Sequence, residues 1–148
     1  MTIHRLFSKD PNDEEENVTQ NIYVFRFILF CIIVYSFEML LNSVDIFIVD
    51  KTIFTRGYVT GCLFADVYVL ILLHLGLEHP LTKYVSITAV SLIIMAASVS
   101  LTYHMIIIIM MPIIIAGMYT SKQLSIYTFV LTVLSIIIST YAGYYYGV

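Results

Sequence analysis

Thirty-six consecutive residues, Tyr84 to Tyr119, pass without a single Lys, Arg, Asp or Glu. Few folds admit such a stretch. A bilayer core of about 30 Å is crossed by about 20 helical residues rising about 1.5 Å each. The run is therefore too long for one span and fits two of about 18 residues joined by a tight turn. Ser100, Leu101, Thr102, Tyr103 and His104 form its one polar cluster, which puts the turn there.

The rest of the chain repeats this pattern. Of 148 residues, 60% are apolar and 11% charged, and the mean hydropathy is +0.94. Soluble domains carry about a quarter charged residues, so a soluble globular enzyme is excluded. Eight of the seventeen Lys, Arg, Asp and Glu side chains fall within the first 26 residues. The expected fold class is all-α, a polytopic membrane helical bundle of about five transmembrane helices behind a short polar tail. The tail is residues 1–22, with the acidic run Glu14, Glu15, Glu16, too polar to bury. Spans are expected over about 23–41, 58–77, 84–100, 104–119 and 124–145, within a domain of residues 23–148. No apolar stretch begins before Ile22, and the one that follows is too long for a cleavable signal, so the first span is retained. The stub Ile46 to Val49 is too short to cross and is expected at the interface. Pro80 breaks the helical ladder between the second and third spans. Tyr141, Tyr144, Tyr145 and Tyr146 read as an interfacial aromatic belt.

The net charge of −3 and the scattered cations provide no basic surface, so nucleic acid is not an expected partner. The lipid bilayer is. Cys31 and Cys62 lie within apolar runs and read as small packing residues. Cations in short loops set the orientation. With the amino terminus in the cytoplasm, Arg5, Lys9, Arg26, Lys83 and Lys122 fall inside and Lys51 and Arg56 outside. This predicts a multi-pass protein of the cytoplasmic membrane whose carboxyl terminus emerges outside.

Polar residues inside spans are the candidates for function. Cys31, Tyr35, Glu38 and Asn42 recur at steps of 4, 3 and 4, and Tyr58, Cys62 and Asp66 at steps of 4. Each set predicts one helix face. A carboxylate at mid-membrane costs several kcal/mol, so Glu38 and Asp66 are expected to face the bundle interior. The inferred topology puts His104 at the outer end of the fourth span. Glu38, Asp66 and His104, with Tyr35 and Tyr58, form the expected ligand or proton site, since imidazole titrates near neutral pH.

Other patterns carry less. His74, Glu78 and His79 read H-x-x-x-E-H, which matches neither zinc-protease spacing, so no metal is expected. Gly57 with Gly61, Gly143 with Gly147, and the stripe Thr128, Thr132, Ser135, Ser139 have the spacing of close helix contact and point to a homodimer. Pro112 is expected to kink the fourth span. There is no nucleotide loop, kinase signature, nucleophile elbow or thiol redox motif, and neither enzymatic activity nor a cofactor is expected.

Leu101 to Gly143 reads L-T-Y-H, a long apolar run through Pro112 to I-I-I-A-G-M-Y, then S-K-Q-L-S-I-Y-T and S-T-Y-A-G-Y. It resembles the amino-terminal multi-helix membrane region of Firmicute signalling proteins, especially diguanylate cyclases. The resemblance implies a sensory module feeding a cytoplasmic output domain. No Gly-Gly-Asp-Glu-Phe signature is present, so cyclase activity is not implied. A sixth helix would be needed to return the chain to the cytoplasm. The chain is then either the sensory piece of a longer protein or a free-standing membrane protein acting through a partner. The leading expectation is a non-enzymatic membrane sensor. Its competitors are a small transporter or substrate-binding membrane subunit, built on the same carboxylates, and an assembly subunit built on the small-residue stripes.

Overall fold

The computed structural model describes residues 16–46, 49–101 and 106–146. Among the described residues there are only helices and their connections: α1 (Glu16–Ser43), α2 (Lys51–Leu75), α3 (Thr82–Leu101), two short pieces α4 (Ile106–Ile109) and α5 (Met111–Gly117), and α6 (Lys122–Tyr146). The protein is an all-α bundle. Four of its described helices, over Val18–Ser43, Lys51–Leu75, Thr82–Val99 and Lys122–Tyr145, are long and apolar enough to cross a membrane.

Local chemistry sets the ends of α2. The Asp50 carboxylate accepts the backbone N–H groups of Thr52 and Ile53 at 2.9 and 3.0 Å, satisfying donors that the first turn leaves open. At the other end Gly76 takes φ 83°, a conformation a β-carbon disfavours, while its N–H still reaches the Leu72 carbonyl at 2.9 Å. Pro80 lies in the connection that follows, before α3.

α3 is the hub. In its central window 61% of residues are buried, against 17–28% in the other three long helices, whose outer faces are apolar. α1 and α2 run antiparallel: Phe25 stands against Tyr68, and Tyr35, ten residues later in α1, against Tyr58, ten residues earlier in α2. α3 and α6 run parallel, joined where the Tyr84 and Tyr127 rings meet edge-on and the Tyr127 hydroxyl donates to Thr88 Oγ1 at 2.7 Å. Thr88 spends its own hydrogen on the Tyr84 carbonyl, which fixes that direction.

The expected fourth span, 104–119, is not one continuous helix. It is α4 and α5, separated at Met110. Pro112 sits in the first turn of α5, has no N–H to give, and its ring crowds the carbonyl one turn earlier, which breaks the ladder. The twelve residues from Ile106 to Gly117 reach only about 18 Å. They nevertheless bring the chain back across the bundle. α3 leaves the Asn21 end at Thr82, and by Met118 and Tyr119 the chain is again beside Gln20 and Asn21. Among the described residues, four long helices and one broken passage thus cross the bundle.

The tail boundary at residue 22 also needs correction. Residues 16–22 are helical, and Gln20, Asn21 and Ile22 are buried. Their polar groups tie the ends of the helices together. Gln20 Nε2 donates to the Met118 carbonyl, Asn21 Nδ2 donates to Leu77 O at 2.9 Å, and the Tyr119 hydroxyl donates to Asn21 Oδ1 at 2.8 Å. The Ser86 hydroxyl lies 3.1 Å from the Tyr68 hydroxyl, holding α3 to α2 at the same end.

Candidate functional site

The predicted site residues do not converge. His104 lies outside the described residues. Tyr35 and Tyr58 do meet, with ring centroids 5.4 Å apart at 80°, and Phe54 closes on Tyr35 at 5.3 Å and 84°. This is a packed aromatic cluster: Tyr35 is buried, and Tyr58 donates its hydroxyl to Ser36 Oγ at 2.9 Å, Ser36 being already committed to Ile32 O. Glu38 is half-buried on α1.

Asp66 is the clearest correction. It is exposed on the outer face of α2, between the exposed Leu63 and Leu70. Steps of four advance 400° per step, so the face drifts 40° each time. Two steps from Tyr58 carry Asp66 about 80° round the helix. The inward stripe is instead Phe54, Gly61, Tyr68 and Leu72, all buried. Nor do the two carboxylates share a level. Glu38 stands level with Thr55, eleven residues or about 16 Å along α2 from Asp66. A single Glu38–Asp66 unit in one half of the bundle is excluded by this spacing.

The small residues are spent inside the bundle. A β-carbon on Gly61 would stand 3.5 Å from Tyr35 Cε1, so the glycine lets the ring lie close against α2. Thr128, Thr132, Ser135 and Ser139 are buried on α6. Neither stripe is an outward surface for dimerisation. Gly147 is outside the described residues. Among those residues no group of three His, Cys, Asp or Glu side chains has the arrangement for a metal, and His79 Nδ1 instead accepts the Leu81 N–H.

An opening between helices lies at the Phe54 end. A cleft of about 190 Å³ runs between α2 and α3, walled by Phe64, Met95, Ala96 and Val99, with Arg56 and Thr60 at its mouth. It adjoins a wider groove of about 530 Å³ bearing Thr52, Thr55 and Lys51. Lys51 is already paired with Asp45 at 2.7 Å. The Arg56 guanidinium has no carboxylate partner among the described residues, and the Thr60 hydroxyl beside it donates to the Arg56 carbonyl. A guanidinium at the rim of an apolar slot matches a molecule with an anionic head and a hydrocarbon tail. Sequence reasoning assigned Arg56 only to an outer loop, although a cation six residues into an apolar helix was the available signal.

No protein-family model, curated protein or solved structure matches this chain.

Proposed function

We propose that this protein is a membrane-embedded, non-enzymatic input module of a bacterial signalling system that binds an anionic amphiphile in the α2–α3 cleft. The observation that carries this reading is Arg56, which has no carboxylate partner among the described residues, at the mouth of an apolar slot reaching Phe64 and Met95. The head of the ligand pairs with Arg56 and the hydroxyls of Thr52 and Thr55, and its tail fills the slot against α3. Because α3 contacts every other long helix, an occupant wedged against it shifts the packing of the whole bundle. The resemblance of Leu101–Gly143 to sensory membrane regions supports the same role. In this reading the protein sits in the cytoplasmic membrane with its amino terminus inside, self-associates, and acts through a cytoplasmic output domain or partner.

A transporter would need its carboxylate on a path through the bundle, and the outward position of Asp66 favours the sensor. Purified protein in sealed vesicles tests this. Radiolabelled decanoate or a short-chain phosphatidate binds saturably, and no labelled solute accumulates beyond what protein-free vesicles take up. Protein-dependent flux, or binding no greater than to empty vesicles, overturns the proposal.

A further inference from the structure

Ser91 on α3 and Thr132 on α6 are 1% and 2% exposed, and neither hydroxyl has a hydrogen-bond partner among the described residues. Their neighbours on the same helices settle on the carbonyl one turn back: Thr88 donates to Tyr84 O, Ser98 to Ile94 O and Thr128 to Leu124 O, at 2.7–2.8 Å. Ser91 and Thr132 do not make that bond. A buried hydroxyl left without a partner is costly, most of all where no bulk water reaches it, so the pair marks a contact still to be made.

More oxygens stand at the same depth. Pro112 has no N–H for the Ile108 carbonyl, and the Ile113 N–H goes to Met110 O at 3.1 Å instead of Ile109 O. The last two carbonyls of α4 therefore lack the amides that a continuous helix would give them. α3, α6 and the return passage share the Asn21 end. Ser91 is nine residues beyond Thr82, Thr132 ten beyond Lys122 and Ile109 eight before Gly117, each about 12–15 Å from that end and close to the middle of a core of about 30 Å. α4 touches both α3 and α6. Ser91 lies two turns after Tyr84 and about 20° from it round the helix, on the side where Tyr84 meets Tyr127 of α6. Thr132 continues the buried line of Leu124 and Thr128.

From this we infer that Ser91, Thr132 and the carbonyls at the α4–α5 break form a buried site for a monovalent alkali cation near the middle of the bundle. Hydroxyl and carbonyl oxygens are hard donors, and the carbonyl ends of broken membrane helices hold cations in this way. The charge is limited to one because no Asp or Glu follows Glu78, so α3 to α6 carry no carboxylate to offset a divalent ion. Bound there, the ion ties the broken passage and α6 to the hub helix α3. It is a resident of the fold and requires no transport. The site uses no residue of the Arg56 cleft, so it stands or falls apart from the amphiphile reading.

The test follows the thermal midpoint of the full chain in micelles as choline chloride is replaced by sodium or potassium chloride at constant ionic strength. A saturable rise with an alkali ion, absent in choline, is expected, because a ligand of the native state alone stabilises it by mass action. The two arms identify which ion binds more tightly. Ser91→Ala and Thr132→Val each weaken the apparent affinity about tenfold or more, whereas Thr132→Ser, which keeps the oxygen, retains the response. The midpoint of each variant in choline shows that it folds. Equal midpoints of the unchanged protein in choline, sodium and potassium, the result that bridging water alone would give, overturn the site. So does an alkali response undiminished in both Ser91→Ala and Thr132→Val.

Discussion

The Tyr119 hydroxyl donates to the buried Oδ1 of Asn21 across 2.8 Å, joining residues 98 apart in the chain. The bond links the end of the broken passage to the start of the first helix. Asn21 is 1% exposed, and its amide nitrogen at the same time holds the Leu77 carbonyl, so one side chain fastens three segments.

Removing either partner should loosen that end. Tyr119→Phe is expected to destabilise the bundle by about 1 kcal/mol, the range of hydrogen bonds between membrane helices. Asn21→Ala should cost more, because it also strands the Leu77 carbonyl. Reversible unfolding in mixed micelles measures both. The double variant should be less destabilised than the sum of the singles, and full additivity would show that the two groups do not interact.

The crossing pattern predicts which connections share a side of the membrane. In a Cys31→Ser, Cys62→Ser background, His79→Cys and Thr120→Cys should react with an impermeant maleimide from one side, and Ile46→Cys from the other. Labelling of Thr120→Cys together with Ile46→Cys would mean that the passage through α4 and α5 does not cross.

Gly61 makes a sharper packing prediction. A methyl group there meets Tyr35 at ordinary contact distance, so Gly61→Ala should be tolerated and, from helix propensity, stabilising by up to about 1 kcal/mol. Gly61→Leu has no such room and should displace the Tyr35 ring from Phe54, lowering the thermal midpoint in micelles. Equal midpoints for both variants would contradict the close approach.

How much of this was legible in the sequence depended on the kind of question asked. Span length reads directly from apolar runs, because the bilayer imposes a ruler on them. The Pro112 break also follows from covalent structure. Facing does not read the same way. In a soluble helix the polar side points outward, but here Phe30 and Leu70 are exposed while Ile87 and Val90 are buried, and all four are apolar. With that contrast gone, the Tyr58–Cys62–Asp66 spacing suggested an inward acid, although its 40° drift per step already turned Asp66 outward. Asn21 was missed for a related reason. It follows the acidic run and looks like tail by composition, and only the long-range partners Leu77 and Tyr119 make its burial favourable.

The central claim is that Arg56 and the α2–α3 cleft hold an anionic amphiphile. The chain has no tryptophan, so a Phe64→Trp variant places one fluorophore on the cleft wall. Titrating this variant in neutral-lipid nanodiscs with decanoate should give a saturable blue shift in emission. Adding Arg56→Ala should weaken the apparent affinity at least tenfold, about 1.4 kcal/mol, while decanol, which has the tail without the charge, should bind poorly to both. A linear, non-saturating response, or equal affinity with and without the Arg56 guanidinium, would contradict the account.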